Sequence, residues 1–359
     1  ITVDGALNRA ADALRTARGL IGIGSPRASL ESNFALRELV GAANFYSGVE
    51  QSEWECLQKM LQILQHGGVR TPSLRDMEEA DAVLVLGEDV TQTAARIALA
   101  LRQAVKGKGR EIARKLKVDL WQVAAVQTLA QNERYPLLIT SLDSTRLDDV
   151  ASGTLHAPHA DQARLGFAIA HLLDGSAPAL TDLAPEQQAR AASWAALLGN
   201  AKKPLIIAGT GARSQALLEA ASNIARALKG RGQAVELALV AQETNSLGLA
   251  MLAGNAAPLE AALERIEREE KLALVMLEND LYRRAPRSRI DAAIDRLQHL
   301  LVVDHQDTGT AQKANLVLPA ASFAEADGTL INMEGRAQRF FQVYAPAFYD
   351  ADIQVRESW

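Results

Sequence analysis

Eight short apolar runs, each followed by a polar turn and a stretch of helical periodicity, constrain this chain more than any other feature. They read LIGI (20–23), AVLVLG (82–87), PLLITS (136–141), PLIIAG (204–209), VELALV (235–240), LALVML (272–277), LLVVD (300–304) and NLVLP (315–319). None alternates apolar with polar residues, so each strand is expected to be covered on both faces, as in a parallel sheet between helices. Between the runs, Ala94, Ile97, Ala98 and Leu101 share one helical stripe, and Leu217, Ala221, Ile224 and Leu228 another. Strands alternating with helices define an α/β chain. At 359 residues the chain exceeds the size at which a single core stops growing, so two domains are expected.

Two stretches read as linkers, HGGVRTPS (66–73) and DGSAPALTDLAPEQQ (174–188). They bracket an α/β domain at 75–180, inserted into a discontinuous domain made of 1–70 and 195–359, with 181–194 as linker and start of a helix. On this division LIGI pairs with strands after residue 200 and not with AVLVLG.

Charge and composition exclude several functions. Thirty-eight basic against 43 acidic residues leave a net charge of −5, which gives no general attraction to nucleic acid or anionic lipid. The one strong charge run, KGKGREIARKLK (106–117), carries a stripe of Ile112, Leu116, Leu120 and Val123, expected to be buried beneath a solvated helix face. LALVML is far too short to span a bilayer, and no signal peptide is visible. The single cysteine, Cys56, excludes a disulfide framework and any iron–sulfur cluster held by this chain's own thiolates. Flanked by Glu53 and Glu55, it is expected to be inert. With Ile rather than Met first and Trp359 last, the chain is expected to be an excised piece of a larger intracellular polypeptide.

Ligands of open α/β sheets sit beyond the carboxyl ends of the strands. Two of those ends hold glycines. Gly22-x-Gly24 runs into Ser25 and Pro26, and Gly209-x-Gly211 has Ser214 in the third position, with no acidic residue at the next strand's end to bind a ribose, since Glu236 lies within its strand. Both read as tight strand-to-helix turns. The other ends are acidic: Glu88 and Asp89, Asp143, Glu278 and Asp280, Asp304 and Asp307. Some of these carboxylates cap helix N-termini. Together they repel a polyphosphate unless a metal or an arginine, with Arg146, Arg283 and Arg284 the nearby candidates, compensates. His156 and His159 stand in TLHAPHAD, which reads as an exposed loop and not a zinc site. No nucleophile elbow and no P-loop appears.

The stretch KANLVLPAASFAEADGTLINMEGRAQRF is the most specific part of the chain. It resembles the closing segment of the molybdopterin oxidoreductase family, on Ala314, Asn315, Leu316, Val317, Leu318 and Pro319, then Glu325, Gly328, Thr329, Asn332, Glu334, Gly335, Arg336 and Gln338. Fainter echoes, VLGED, AGTGAR, LENDLY and VVDHQDTGTAQKA, follow the family's order, so the resemblance covers about 18–345. It implies two doubly wound parallel-sheet domains, one inserted into the other. Enzymes of the family bind a pterin dinucleotide at the strand ends, but Glu88 and Asp89 replace the expected residues here. Nothing around NFYSGVEQSEWEC (44–56) reproduces the metal-ligand motif, and Cys56 is out of pattern.

INMEGRAQRFFQVYAP is most similar to the branch formed by the large iron–sulfur subunits of NADH:quinone oxidoreductase, respiratory complex I. That resemblance implies a non-catalytic structural domain without a cofactor of its own, with iron–sulfur clusters in an N-terminal part outside this sequence. It implies other peripheral-arm subunits as partners, no nucleic acid, no direct membrane insertion, and a peripheral place on the cytoplasmic face of a bacterial inner membrane. No catalytic, cofactor-binding or metal-ligating residue is assigned. Arg336 is expected to fork onto Glu325 or Glu334 in a largely buried interdomain lock. The alternatives are a working molybdopterin-dependent core of the formate dehydrogenase or nitrate reductase type, and a free-standing small-molecule or nucleotide-binding protein.

Overall fold

The structure, a computed structural model, describes residues 1–180 and 182–344. The expected linker start at Thr181 and the last residues of the closing stretch, 345–359, lie outside the described residues. The described strands are β1 (Gly19–Ile23), β2 (Phe45–Tyr46), β3 (Ala82–Leu86), β4 (Leu137–Ser141), β5 (Gly153–His156), β6 (Pro204–Gly209), β7 (Glu236–Val240), β8 (Leu272–Leu277), β9 (His299–Asp304), β10 (Leu316–Pro319), β11 (Gly328–Ile331) and β12 (Ala337–Phe340). The chain forms two compact units, 1–55 with 243–359, and 56–242.

The first unit holds a five-stranded sheet in the order β10-β9-β8-β1-β2, parallel throughout. Register is fixed by burial on both faces: Ile21 faces Leu274 and Ile23 faces Met276 across the β1–β8 pair, all of them inside the core. Helices Leu259–Arg268 and Arg287–Arg296 add Leu263, Ile266 and Ile290 to that core. The antiparallel hairpin β11–β12 belongs to the same unit.

The second unit holds the other parallel sheet, in the order β5-β4-β3-β6-β7. All of β3, β4 and β6 is buried, which accounts for the unbroken apolar runs. In helix Gln215–Gly230 the stripe Leu217, Ala221, Ile224 and Leu228 is fully buried; in helix Ala95–Val105 Ile97, Ala98 and Leu101 are buried, while Ala94 of the expected stripe precedes the helix and is half-buried.

Three sequence expectations need correction. The domain boundaries at 75–180 and 195–359 fail, because β6 and β7 join β3 and carry 195–242 into the second unit. An apolar run specifies a covered strand but not its neighbour; the crossover connection brings β6 back parallel beside β3. The stripe assigned to the basic run is not buried. Helix Gly107–Lys115 ends early, Lys117 adopts φ 57°, and Leu116, Leu120 and Val123 stand in solvent. The TLHAPHAD segment is not a loop, since His156 ends β5 and His159 opens helix His159–Leu173.

Candidate functional site

In each sheet the chain winds outward in both directions from one pair of strands, and the crevice above that pair is where a ligand would sit. In the second unit the pair is β3 and β6. Glu88 follows β3 and turns its side chain over the start of the turn after β6. Its Oε2 accepts the Gly211 N–H at 3.1 Å and its Oε1 accepts the Thr93 hydroxyl at 2.7 Å. Glu88 is only 2% exposed. A Cβ on Gly211 would stand 2.7 Å from Oε1, and one on Gly209 would lie closer still to the carboxylate, so both glycines make room for Glu88. The carboxylate therefore takes up the Gly211 N–H, the donor at this strand-to-helix turn that a phosphate would otherwise meet. Burial pushes the Glu88 carboxyl up from its ordinary value, against the pull of the Thr93 and Gly211 bonds.

Around Glu88 lies an open recess of about 340 Å³ bordered by Asp89, Thr93, Ser141, Asp143 and His159, with no Arg or Lys in its lining. Asp89 caps the short helix Val90–Thr93, accepting from the Thr91 N–H at 2.9 Å and its hydroxyl at 2.6 Å. Asp143 accepts from the Ser144 N–H at 2.7 Å. Arg146, read as able to compensate these charges, is exposed and outside the lining.

In the first unit the pair is β1 and β8, and the chain laces that crevice shut. Asn279 donates through Nδ2 to the carbonyls of Gly24 at 2.9 Å and Gly48 at 3.0 Å. Ser25 Oγ and Arg27 Nη2 both donate to the Glu278 carbonyl at 2.7 Å. Glu278 holds φ 39°, a left-handed conformation costing a non-glycine residue about 1–2 kcal/mol, and its carbonyl meets both donors. Burial raises its carboxyl, with His305 Nδ1 3.9 Å away opposing that rise and Asp304 adding to it. Arg27 lies 4.0 Å from Asp304. Asp280 caps the turn at Leu281–Arg283 and accepts from the Thr310 hydroxyl at 2.8 Å, while Asp307 is exposed. Arg284 is fully engaged: it grips Glu243 with Nη2 at 2.9 and 2.7 Å and reaches Asn279 at 3.2 Å. Arg283 is exposed.

The closing stretch has less in common with a site than its sequence suggests. Arg336 pairs with Glu334 at 2.8 Å, but its side chain is 70% exposed, so the buried lock is overturned. Glu325 is bound within its own turn by Ser322, and Asp327 accepts from the Gln342 N–H at 2.6 Å. Asn332 Oδ1 closes the hairpin turn by accepting the N–H groups of Glu334 and Arg336, each at 3.0 Å. The hairpin is anchored instead by Asn245, fully buried, which accepts the Ile331 N–H at 3.0 Å and donates to the Ala28 carbonyl at 2.7 Å. Glu31 adds the Thr329 N–H and hydroxyl. Sequence reasoning missed Asn245 and Asn279; a lone Asn in the turn after a strand carries no pattern, although LENDLY did contain the second. His156 bonds Asp148 at 3.1 Å and Ser141 at 3.0 Å, and Cys56 is buried. Among the described residues no three His, Cys, Asp or Glu side chains are grouped to hold a metal.

A family model described as molybdopterin oxidoreductase matches residues 4–351. The chain belongs to the molybdopterin oxidoreductase family. Within that family it is 81% identical, over its whole length, to the G subunit of NADH-quinone oxidoreductase from Shewanella oneidensis, and 55% and 54% identical to the G subunits of the same enzyme from Escherichia coli K12 and Pseudomonas fluorescens. It spans 40%, 39% and 39% of their lengths. Two solved structures share the fold. Acetylene hydratase from Pelobacter acetylenicus matches at TM-score 0.62 and 13% identity, over 97% of this chain and 56% of that one. A chain of the formyltransferase/hydrolase complex from Methylorubrum extorquens matches at TM-score 0.58 and 16% identity, over 94% of this chain and 90% of that one. A pterin dinucleotide, which membership of the family implies, does not fit the residues at the β3–β6 crevice: its phosphate would have to displace the Glu88 carboxylate from the Gly211 N–H.

Proposed function

We propose that this chain is a non-catalytic structural region of the large iron–sulfur subunit of an NADH:quinone oxidoreductase, holding no cofactor of its own and contributing shape to the arm that passes electrons from NADH to quinone. The observation that carries the reading is Glu88, an internal anion seated where a cofactor phosphate would go. Each unscreened like-charge contact at about 4 Å costs a phosphate roughly 1–4 kcal/mol. Glu88 is flanked by Asp89 and Asp143 with no cation in the lining to offset them. The iron–sulfur clusters belong to parts of the subunit outside this chain, and the partners are the other peripheral-arm subunits. The assembly lies on the cytoplasmic face of the membrane; no described helix of this chain is long and apolar enough to cross one.

The test is elemental and pterin analysis of the chain made in cells that synthesise the cofactor. Molybdenum, iron and oxidised-pterin fluorescence are all expected below a tenth of stoichiometry. Stoichiometric molybdenum or pterin would overturn the reading and favour an active core of the formate dehydrogenase or nitrate reductase type.

A further inference from the structure

The most conspicuous surface of the second unit takes no part in either crevice. Helix Gly107–Lys115, the turn through Leu116 to Gln122 and helix Val123–Ala130 pack into a small helical arm. The second helix reads VAAVQTLA, yet none of its residues is buried. Trp121 is 77% exposed, Val123 59% and Leu116 57%, with Leu120 and Leu129 also in solvent. Leu116, Leu120, Trp121 and Val123 fall within eight residues of chain around one turn, and isolated exposed residues do not explain such a concentration.

Charge around the cluster runs against the rest of the molecule. Residues 106–123 carry six basic side chains and two acidic ones, in a chain whose net charge is −5. One of the two acids, Glu111, is neutralised from within: Lys115 at 2.6 Å, Lys108 at 3.1 Å and the Tyr135 hydroxyl at 2.9 Å hold its carboxyl down to about 2. The other, Asp119, is exposed in the turn. Lys106, Arg114 and Lys117 make no ion pair among the described residues and are exposed. The same network ties the first helix to Tyr135, just ahead of β4, and so fixes the arm's orientation.

We propose that this arm docks into another polypeptide, one whose contact face offers an apolar recess for the Trp121 indole rimmed by Asp and Glu side chains. The inference deepens the reading given under Proposed function, since a scaffold region needs a lasting neighbour. Protein interfaces concentrate their energy in a buried aromatic anchor ringed by groups that exclude water, and a Trp inside a cationic rim has that composition. A second copy of the chain is disfavoured because the two cationic rims would face each other. A lipid surface is disfavoured because helix Val123–Ala130 carries no charged residue and so lacks the basic polar face of a helix that lies in a membrane interface.

The experiment places a photoreactive benzophenone amino acid at position 121 of the full-length polypeptide in cells, with the exposed position 176 as control. Adducts are mapped by mass spectrometry. The expected result is one dominant adduct, on an Asp- and Glu-rich peptide of another protein. Its yield should fall about tenfold or more in the Lys106→Glu, Arg114→Glu, Lys117→Glu variant. Exchanging the partner's carboxylates for Lys should restore it. All substituted positions are exposed, so the purified variant should keep the wild type's cooperative urea transition followed by far-ultraviolet circular dichroism, which reports intact folding. Adducts only on lipid, only on a second copy, or no more focused than at position 176 would overturn the proposal. If position 121 stays unlabelled while the chain sits in assembled NADH:quinone oxidoreductase, the docking surface fails and the scaffold reading stands. A focused acidic partner absent from that assembly would do the reverse.

Discussion

Glu88 is a carboxylate held out of water beneath two glycines, and its titration should show it. Its folded-state pKa lies above the ordinary 4.5 because burial disfavours the ionised form. Between 4.5 and the raised value the folded chain keeps a proton that the unfolded chain has lost. The contribution to stability is therefore complete below 4.5 and is lost as pH rises through that window. Glu88→Gln keeps the volume and removes the titration. In urea midpoints measured from acid to neutral pH, the variant should gain on the wild type as pH rises, offset at every pH by the loss of one acceptor, since its amide oxygen can keep only one of the Thr93 and Gly211 bonds. Parallel curves would mean that Glu88 is hydrated and does not fill the crevice. The acidity of this strand end was legible in the sequence. The inward turn of the side chain was not, because it depends on Gly209 and Gly211, which lie more than a hundred residues away and present their backbone to it only when β6 lies beside β3.

Elements here are fixed by a few buried polar side chains, and the closing hairpin shows which of them matter. Asn245→Ala leaves the Ile331 N–H without that acceptor and the Ala28 carbonyl without its shortest donor, and should cost about 2–4 kcal/mol. Arg336→Ala breaks only a surface pair and should cost about 0–1 kcal/mol. Denaturant midpoints of the two variants check the contrast; equal losses would return Arg336 to a structural role. The densely patterned motif thus lies mostly in solvent, while the residue that anchors it sits outside the motif. All eight apolar runs form strands, and seven are largely buried, as coverage of both faces requires; β10, at the sheet edge, departs from that expectation, with no buried residue and Val317 43% exposed. The strands β2, β5, β11 and β12 were not read, being two to four residues long and mostly polar or half-exposed in β5, β11 and β12. Strand order was equally hidden, since parallel neighbours are chosen by crossovers and not by the strands' own residues.

At the scale of the whole molecule, the two units differ in how their sheets are assembled along the chain. The second unit is one continuous segment, and all five of its strands lie between residues 82 and 240. The first draws β1 and β2 from the start of the chain and β8 to β10 from its end, with β1 between β8 and β2. Removing the initial segment strips the β8 edge of its neighbour along the full β1–β8 register, from Gly19 against Leu272 to Ile23 against Met276, and opens the core around Ile21 and Ile23. A fragment of residues 51–242, cut ahead of helix Gln51–His66, should therefore fold alone, with a stability of about 5–15 kcal/mol typical of an independent domain. Residues 243–344 alone should not. In the first fragment with Trp54 and Trp121 each changed to Phe, Trp194, 4% exposed against Gly153 of β5, is the one remaining tryptophan and serves as the reporter. Its emission should be blue-shifted and should change in one cooperative urea transition that coincides with the loss of far-ultraviolet circular dichroism. The 243–344 fragment should bind a hydrophobic dye and unfold without a cooperative transition, until a peptide covering 1–50 is added. A dye-binding, non-cooperative 51–242 would show that the second sheet depends on the rest of the chain. A cooperative 243–344 would show that β1 is dispensable to the first.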